Sequence, residues 1–159
     1  MKILALSDSH GNIERMVYAV DKEQPDVILH LGDCINDAYK LWGKFPAVSF
    51  HMVAGNCDGR TDDDTELTLE KDGVRIYMTH GHLYGVKNGL SDFIEGARHK
   101  KADLGLFGHT HKTLIRKTIG IWIMNPGQME QHDNRRAASY GIVNIVNGAF
   151  DCSIMYLPI

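Results

Sequence analysis

Short apolar runs alternate with helix-like and turn-like segments over the first 60 residues. The runs cover residues 2–6, 26–31 and 47–53, and runs of this length are typical of buried strands. Between the first two runs, apolar residues recur at the i, i+3, i+4, i+7 spacing of one helix face, and Gln24-Pro25 marks the end of this predicted helix. The residues of that face are Ile13, Met16, Val17 and Val20. A shorter helix is predicted over 36–43, so this part of the chain alternates strand and helix.

The rest of the chain is predicted to form hairpins with one helix between them. Strand-like segments at 65–70 and 74–78 flank Asp72-Gly73, which is a strong turn signal. Helical spacing returns within 88–101. The later predicted strands cover 102–107, 113–118, 121–124, 140–146 and 149–157, and Asn147-Gly148 is predicted to join the last two as a type I′ turn. This order predicts one domain over 1–159, an α/β sandwich of two mixed sheets packed face to face with helices outside.

Length and composition are those of a soluble globular domain. The chain has 159 residues, of which 43% are hydrophobic and 23% charged, and its net charge is −3. This charge gives no reason to expect stable nucleic-acid binding, and no apolar run approaches the ~20 residues of a membrane span. The three cysteines are odd in number and form no C-x-x-C pair, so we expect no disulfide framework and a reducing, cytoplasmic location.

Side chains that can bind metals follow five of the predicted strands. They are Asp8, His10, Asp33, Asn56, His80, His109 and His111. Open α/β sheets bind their ligands at the carboxyl ends of strands. Seven oxygen and nitrogen donors without a thiolate are too many for one ion and suit two divalent metals that share a carboxylate. Such sites hold their ions about 3.5–4 Å apart, acidify a bound water and catalyse in-line displacement at phosphorus.

A purely structural interpretation of these residues is the alternative. Asp33 after Gly32 could be an ordinary turn residue, and histidines within strands, such as His30 and His51, are interpreted as packing residues. The recurrence of suitable donors at five successive strand ends favours the metal site over that alternative.

These residues fall into motifs that resemble a known family. Asp8-x-His10, Gly32-Asp33, Gly55-Asn56, His80-Gly81-His82 and Gly108-His109-Thr110-His111 are similar to the motif series of the calcineurin-like metallophosphoesterases. The compact length and the sequence Gly-Asn-Cys-Asp at 55–58 are most similar to the small YfcE-type phosphodiesterases. The resemblance extends from residue 8 to residue 127. It implies an αββα sandwich with a dinuclear metal site along one edge.

The resemblance also implies a role for each donor. One metal would be held by Asp8, His10, Asp33 and His111, and the other by Asp33, Asn56, His80 and His109, with Asp33 bridging. His82 would lie on the substrate side or behind the ligands. The expected cofactor is two divalent ions, Mn²⁺ first, with Ni²⁺, Fe²⁺, Zn²⁺ or Co²⁺ as alternatives.

The implied activity is hydrolysis of phosphodiester bonds by in-line attack of a hydroxide that bridges the two metals. The substrate would be a small phosphodiester, nucleotide-derived or otherwise, and a homo-oligomer is left open. A phosphomonoesterase of the same mechanism is one alternative. The other is a protein-interaction scaffold like the retromer subunit that shares this fold and has lost a catalytic ligand position.

Cys57 departs from the pattern of many family members, which have a histidine there that is thought to protonate the leaving group. Asp58 follows it, and we count both as catalytic candidates beside Asp33, Asn56 and His82. The alternative is that Cys57 is a small buried filler. A thiol is a weak proton donor to an alkoxide, so water, His82 or another group would take that role. We therefore expect a preference for aryl or nucleotidyl esters over alkyl ones.

Overall fold

The computed structural model describes residues 1–130 and 136–158. Within them the chain forms ten strands, three α-helices and one short 3₁₀ turn. In chain order these are β1 (Lys2–Leu6), α1 (Ile13–Glu23), β2 (Val27–His30), α2 (Ile35–Lys44), β3 (Ser49–Met52), β4 (Glu66–Lys71), β5 (Val74–Thr79), the 3₁₀ turn (His82–Tyr84), α3 (Ser91–His99), β6 (Leu104–Leu106), β7 (Leu114–Thr118), β8 (Ile121–Asn125), β9 (Ser139–Val146) and β10 (Ala149–Tyr156).

The strands form two five-stranded mixed sheets. The first has the order β10-β9-β1-β2-β3, and the second has the order β4-β5-β6-β8-β7. In each sheet three neighbouring strands are parallel, namely β1, β2 and β3 in the first and β5, β6 and β8 in the second. Antiparallel strands complete both sheets. The carboxyl ends of the parallel strands therefore meet along one edge of each sheet.

Alternating side chains along the strands build three apolar layers. Val27 and Leu29 of β2 face the space between the two sheets, whereas Ile28 faces the helices. Met16 and Val20 of α1 pack on that outer face of the first sheet, and Phe93 of α3 packs on the outer face of the second. The predicted sandwich of two mixed sheets between helices is confirmed.

The observed elements differ from the predicted ones mainly at their ends. The helix predicted within 88–101 is observed over Ser91–His99. Gly89, with a φ of +158°, precedes it. The strand predicted over 102–107 is reduced to β6. Asn147 and Gly148 have φ values of +49° and +78°, which confirms the type I′ turn. No helix in the described ranges is both long and apolar enough to span a bilayer.

Candidate metal centre

The strand-end residues of both sheets come together at one edge of the sandwich. In the first sheet, Asp8 and His10 follow β1, Asp33 follows β2 and Asn56 follows β3. In the second sheet, His80 follows β5, and His109 and His111 follow β6. The two sheets pack face to face, with these edges on the same side of the sandwich, so all seven side chains surround one region.

Six of the seven form two clusters, in each of which one ligand atom per residue lies within 4.8 Å of the others. The first cluster is Asp8, His10 and His111, and the second cluster is Asp33, His80 and His109. Asp33 lies between them, because its Oδ2 is 3.8 Å from Nε2 of His10 and 3.4 Å from Nε2 of His80. The geometry is thus compatible with a carboxylate shared by two cations.

The seventh donor, Asn56, joins the second cluster. Its Oδ1 is 3.1 Å from Nε2 of His80. At the other side of that ring, Nδ1 of His80 is 2.8 Å from the carbonyl oxygen of Leu31 and donates to it. The remaining nitrogen, Nε2, therefore points toward Asp33 and Asn56. This arrangement fixes the tautomer that a metal-binding histidine needs.

Burial and mutual charge shape the ionisation of the second cluster. Burial alone would raise the pKa of Asp33, but the hydrogen bond and charge of His80 hold the pKa well below the usual range for a carboxyl. Burial likewise opposes protonation of His80, and Asp33 and Asp8 outweigh it, so the pKa of His80 is raised. The two buried carboxylates thus stabilise positive charge on His80, and the same negative charge would attract a metal cation.

The donor set fits divalent metal ions. Oδ1 of Asp8 and Nε2 of His10 are buried and have no hydrogen-bond partner among the described residues. A buried polar atom without a partner costs about 1–3 kcal/mol. Oδ1 of Asp8 nonetheless approaches Nε2 of His111 to 3.0 Å. A cation bound between these atoms would satisfy them, and mixed imidazole, carboxylate and amide ligands suit a first-row divalent ion.

The backbone at these donors is unusual. Five of the seven have φ in the left-handed region, where residues other than glycine are uncommon and Asn, Asp and His are the most frequent of them. Their φ values are +53° for Asp8, +43° for His10, +60° for Asp33, +66° for His109 and +57° for His111. These turns re-aim the side chains from the strand ends into the common region.

Close backbone approach explains the glycines that accompany the donors. A methyl group at Gly55 would overlap the carboxylate of Asp33 and lie 2.6 Å from its backbone nitrogen. At Gly108 it would overlap Ser7 and lie 2.9 Å from Oδ2 of Asp8. Both loops can therefore reach the carboxylates only without a side chain.

The predicted catalytic candidate Asp58 lies against backbone amides. Its Oδ2 accepts the N–H groups of Asp33 and Gly55 at 3.1 and 2.6 Å, and its Oδ1 accepts the N–H of Ile35 at 2.7 Å. The carboxylate thereby connects the loop after β2 to the loop after β3. This contact pattern is that of a residue that positions Asp33.

Cys57 and His82 border the two clusters. The backbone N–H of Cys57 donates to Oδ1 of Asp33 at 3.0 Å, and its side chain is exposed, so the interpretation as a buried filler is wrong. Desolvation and the charge of Asp33 raise the pKa of this thiol to about 11. The ring of His82 is centred 5.4 Å from that of His80 and 6.2 Å from that of His109, outside both clusters.

Two further residues contact the donors and were missed in the sequence. Oγ of Ser7 donates to Oδ2 of Asp8 at 2.5 Å, which its position directly before Asp8 could have indicated. Glu130 is buried, with Oε2 at 3.8 Å from Nε2 of His10 and its backbone N–H bound to the carbonyl of Asp8 at 3.1 Å. Nothing in the local sequence indicates this role, because it depends on how the segment after β8 passes the end of β1.

Comparison with known families and proteins supports the resemblance seen in the motifs. The calcineurin-like phosphoesterase superfamily domain matches residues 1–148. The probable metallophosphoesterase YsnB of Bacillus subtilis is 34% identical over 152 residues, which cover 94% of this chain and 87% of that protein. The phosphodiesterase YfcE of Escherichia coli K12 is 27% identical over 170 residues, which cover 91% of this chain and 88% of that protein.

Solved structures share the whole fold. A predicted phosphoesterase from Streptococcus pneumoniae has a TM-score of 0.82 at 26% identity, with 98% of this chain and 88% of that chain covered. Vps29 of Entamoeba histolytica complexed with zinc has a TM-score of 0.75 at 18% identity, with 98% and 99% covered. At 18% identity this second likeness shows the fold alone, so it gives the scaffold alternative no support beyond a common architecture.

Proposed function

This chain belongs to the calcineurin-like phosphoesterase superfamily, and from this premise we propose that it is a metal-dependent phosphodiesterase that acts on a small phosphodiester. The observation that carries the proposal is the pair of clusters at one sheet edge, with Asp33 between them and two buried donor atoms that have no hydrogen-bond partner among the described residues. Leaving such atoms without a hydrogen bond is costly, and a bound cation would offset that cost.

In this proposal Asp33 would contribute to two sets of metal ligands. Asp8, His10 and His111 complete one ligand set, and Asn56, His80 and His109 complete the other. Two bound divalent ions, Mn²⁺ first and Fe²⁺, Zn²⁺, Ni²⁺ or Co²⁺ as alternatives, would supply an acidified water and neutralise charge that develops at phosphorus.

The chain's own residues would orient the ligands and the substrate. The Leu31 carbonyl holds His80 in the tautomer that leaves Nε2 without a proton, and Asp58 holds the backbone of Asp33. During hydrolysis a water that has lost a proton to solvent bonds through its oxygen to phosphorus while the bond to the leaving oxygen breaks, and the leaving oxygen takes the electron pair and then a proton. His82 or water would deliver the proton, since Cys57 offers only a thiol.

Replacement of Asp33 tests the bridging role. We expect Asp33→Ala to abolish hydrolysis of bis(4-nitrophenyl) phosphate and to lower the metal content below two ions per chain, as measured by elemental analysis of the metal-loaded protein. Asp62→Ala, which removes an exposed carboxylate of the 61–64 loop, is the matched control and should keep both properties. Near-normal turnover by Asp33→Ala would refute the bridging assignment.

A substrate and metal panel separates the alternatives. Metal-free protein reloaded with each of the five ions would be assayed with bis(4-nitrophenyl) phosphate and with 4-nitrophenyl phosphate. The proposal expects faster cleavage of the diester. Faster cleavage of the monoester would favour the phosphomonoesterase, and cleavage of neither ester with any metal would favour the scaffold.

The leaving-group preference is tested with aryl methyl phosphates of graded phenol acidity. Because a thiol stands where a histidine is usual, we expect kcat to fall as the pKa of the leaving phenol rises. A flat dependence, with chemistry shown to be rate-limiting, would contradict this part of the proposal.

A further inference from the structure

A cavity of about 520 Å³ opens beside the loop that carries His109 and His111. Its walls come from the segment before α3, the end of β6 with its following loop, and the start of β7. The lining residues are Val86, Lys87, Leu90, Phe107, Thr110, Lys112, Thr113 and Leu114. This volume lies within the range of sites that bind small molecules in proteins.

The cavity adjoins the loop that carries two of the candidate metal donors. Thr110 lies between His109 and His111 in the chain, and Lys112 follows directly, so one loop supplies both metal donors and cavity wall. A substrate with its phosphorus at the clusters would therefore extend into this space.

The cavity combines an apolar floor with two positive charges. Val86 and Phe107 are buried beneath it, and Leu90 and Leu114 are half-buried at its sides. Lys87 and Lys112 are exposed at its rim.

The polar atoms of the cavity differ in what they already bind. Oγ1 of Thr110 accepts from Asn125, and Oγ1 of Thr113 lies 3.1 Å from the hydroxyl of Tyr156. By contrast, no carboxylate of residues 1–130 or 136–158 forms an ion pair with Lys87 or Lys112, whereas Lys2 and Lys100 do have such partners. The two lysines are thus the polar groups available to a ligand, and both are cationic.

We propose that this cavity is the subsite for the second ester group of the substrate, and that it selects a group with an apolar ring and a further anionic substituent, as in a nucleotide with a second phosphate. This inference rests on the proposed function and adds the substrate class to it. The apolar floor would hold the ring, and Lys87 and Lys112 would bind the second anion. Two positive charges at the rim of one cavity favour an anionic occupant.

Binding of product-like nucleotides tests the subsite without turnover. With Mn²⁺-loaded protein, isothermal titration calorimetry should show thymidine 3′,5′-bisphosphate binding about tenfold more tightly than thymidine 5′-phosphate, since exposed charge pairs contribute a few-fold each. In Lys87→Gln/Lys112→Gln the ratio should fall to about one. Lys22→Gln removes an exposed charge on α1 and should keep the wild-type ratio.

Kinetics with a constant leaving group provides the second measurement. The ratio of kcat/KM between thymidine 5′-(4-nitrophenyl phosphate) and methyl 4-nitrophenyl phosphate should exceed about fivefold in the wild type, because apolar surface is buried. Leu114→Ala should reduce this ratio. Adding a 3′-phosphate to the thymidine ester should raise kcat/KM further, and the double lysine variant should lose that increase. Thermal melts of every variant confirm folding.

The outcomes separate the subsite from the proposed function. Cleavage of the methyl ester without preference for the thymidine esters would overturn the subsite and leave the phosphodiesterase intact. Cleavage of no ester with any metal would overturn the proposed function, and the calorimetric ratio would then decide whether the cavity binds the anionic nucleotide. Equal affinity of the wild type for both nucleotides overturns the subsite.

Discussion

Replacing Asp58 with alanine removes the acceptor of three backbone N–H groups at once. These are the amides of Asp33, Ile35 and Gly55, at 3.1, 2.7 and 2.6 Å from the carboxylate. A hydrogen bond to a charged group contributes about 1.5–3 kcal/mol. Because Asp58 is only half-buried, water can replace part of this loss. We therefore expect the free energy of unfolding to fall by about 2–4 kcal/mol.

Asparagine at this position should have an intermediate effect. One carboxylate oxygen of Asp58 accepts hydrogen bonds from the backbone N–H groups of Asp33 and Gly55, and the other accepts one from the N–H of Ile35. A carbonyl oxygen can replace only one of the two, and the amide NH₂ would then face a donor. Asp58→Asn should lower the free energy of unfolding by about 1–2 kcal/mol.

Urea unfolding followed by circular dichroism, together with calorimetric titration of Mn²⁺, measures both consequences. Asp58→Ala should also bind Mn²⁺ more weakly, because the backbone of Asp33 is no longer held. Asp62→Ala, the exposed control, should remain within about 0.5 kcal/mol of wild type. If Asp58→Ala lost activity while keeping wild-type stability and Mn²⁺ affinity, Asp58 would act on the substrate and the positioning argument would be wrong.

Three further changes test other contacts. Gly55→Ala would force a methyl group into Asp33, so we expect a loss above about 2 kcal/mol in urea unfolding and weaker Mn²⁺ binding; wild-type behaviour would contradict the close approach. Glu130→Gln removes a negative charge beside the first cluster and should weaken Mn²⁺ binding about three- to tenfold by calorimetry, an effect that a merely structural role would not produce. The hydrogen bond from Tyr77 lowers the pKa of Glu66 below 4.5, so the stability it adds is present above about pH 4.5 and lost as the pH falls further. In urea unfolding, the difference in free energy of unfolding between wild type and Glu66→Gln should accordingly be largest above that pH. A difference that does not change with pH would contradict the lowered pKa of Glu66.

The elements of this protein could be predicted because their signals are local. An apolar run indicates β1, the helical spacing of apolar residues indicates α1, and Asn147-Gly148 indicates the β9–β10 hairpin. The order of strands could not be predicted in the same way, because the neighbours of β1 are β2 and β9, and the latter follows more than 130 residues later. That pairing depends on the packing of the whole sheet rather than on any short stretch.

The contacts within the candidate site could also be predicted only in part. The metal donors follow strands, so parallel pairing alone brings Asp8 and Asp33 together. The distances between them and His80 or His111 depend on how the two sheets stack. Glu130 could not be predicted as a neighbour of His10, because the two residues are far apart in the sequence and come together only in the folded chain. The identity of the bound ions and the roles of the donors remain predictions that the experiments above address.

The left-handed backbone conformation of five candidate donors lowers the stability of the folded chain. An L-residue in that conformation costs on the order of 1 kcal/mol relative to glycine. Glycine at His10 or His111 would relieve this backbone cost while removing a side chain that the proposed function assigns to a metal. A glycine variant at either position would therefore separate the backbone cost of this sheet edge from its proposed metal binding.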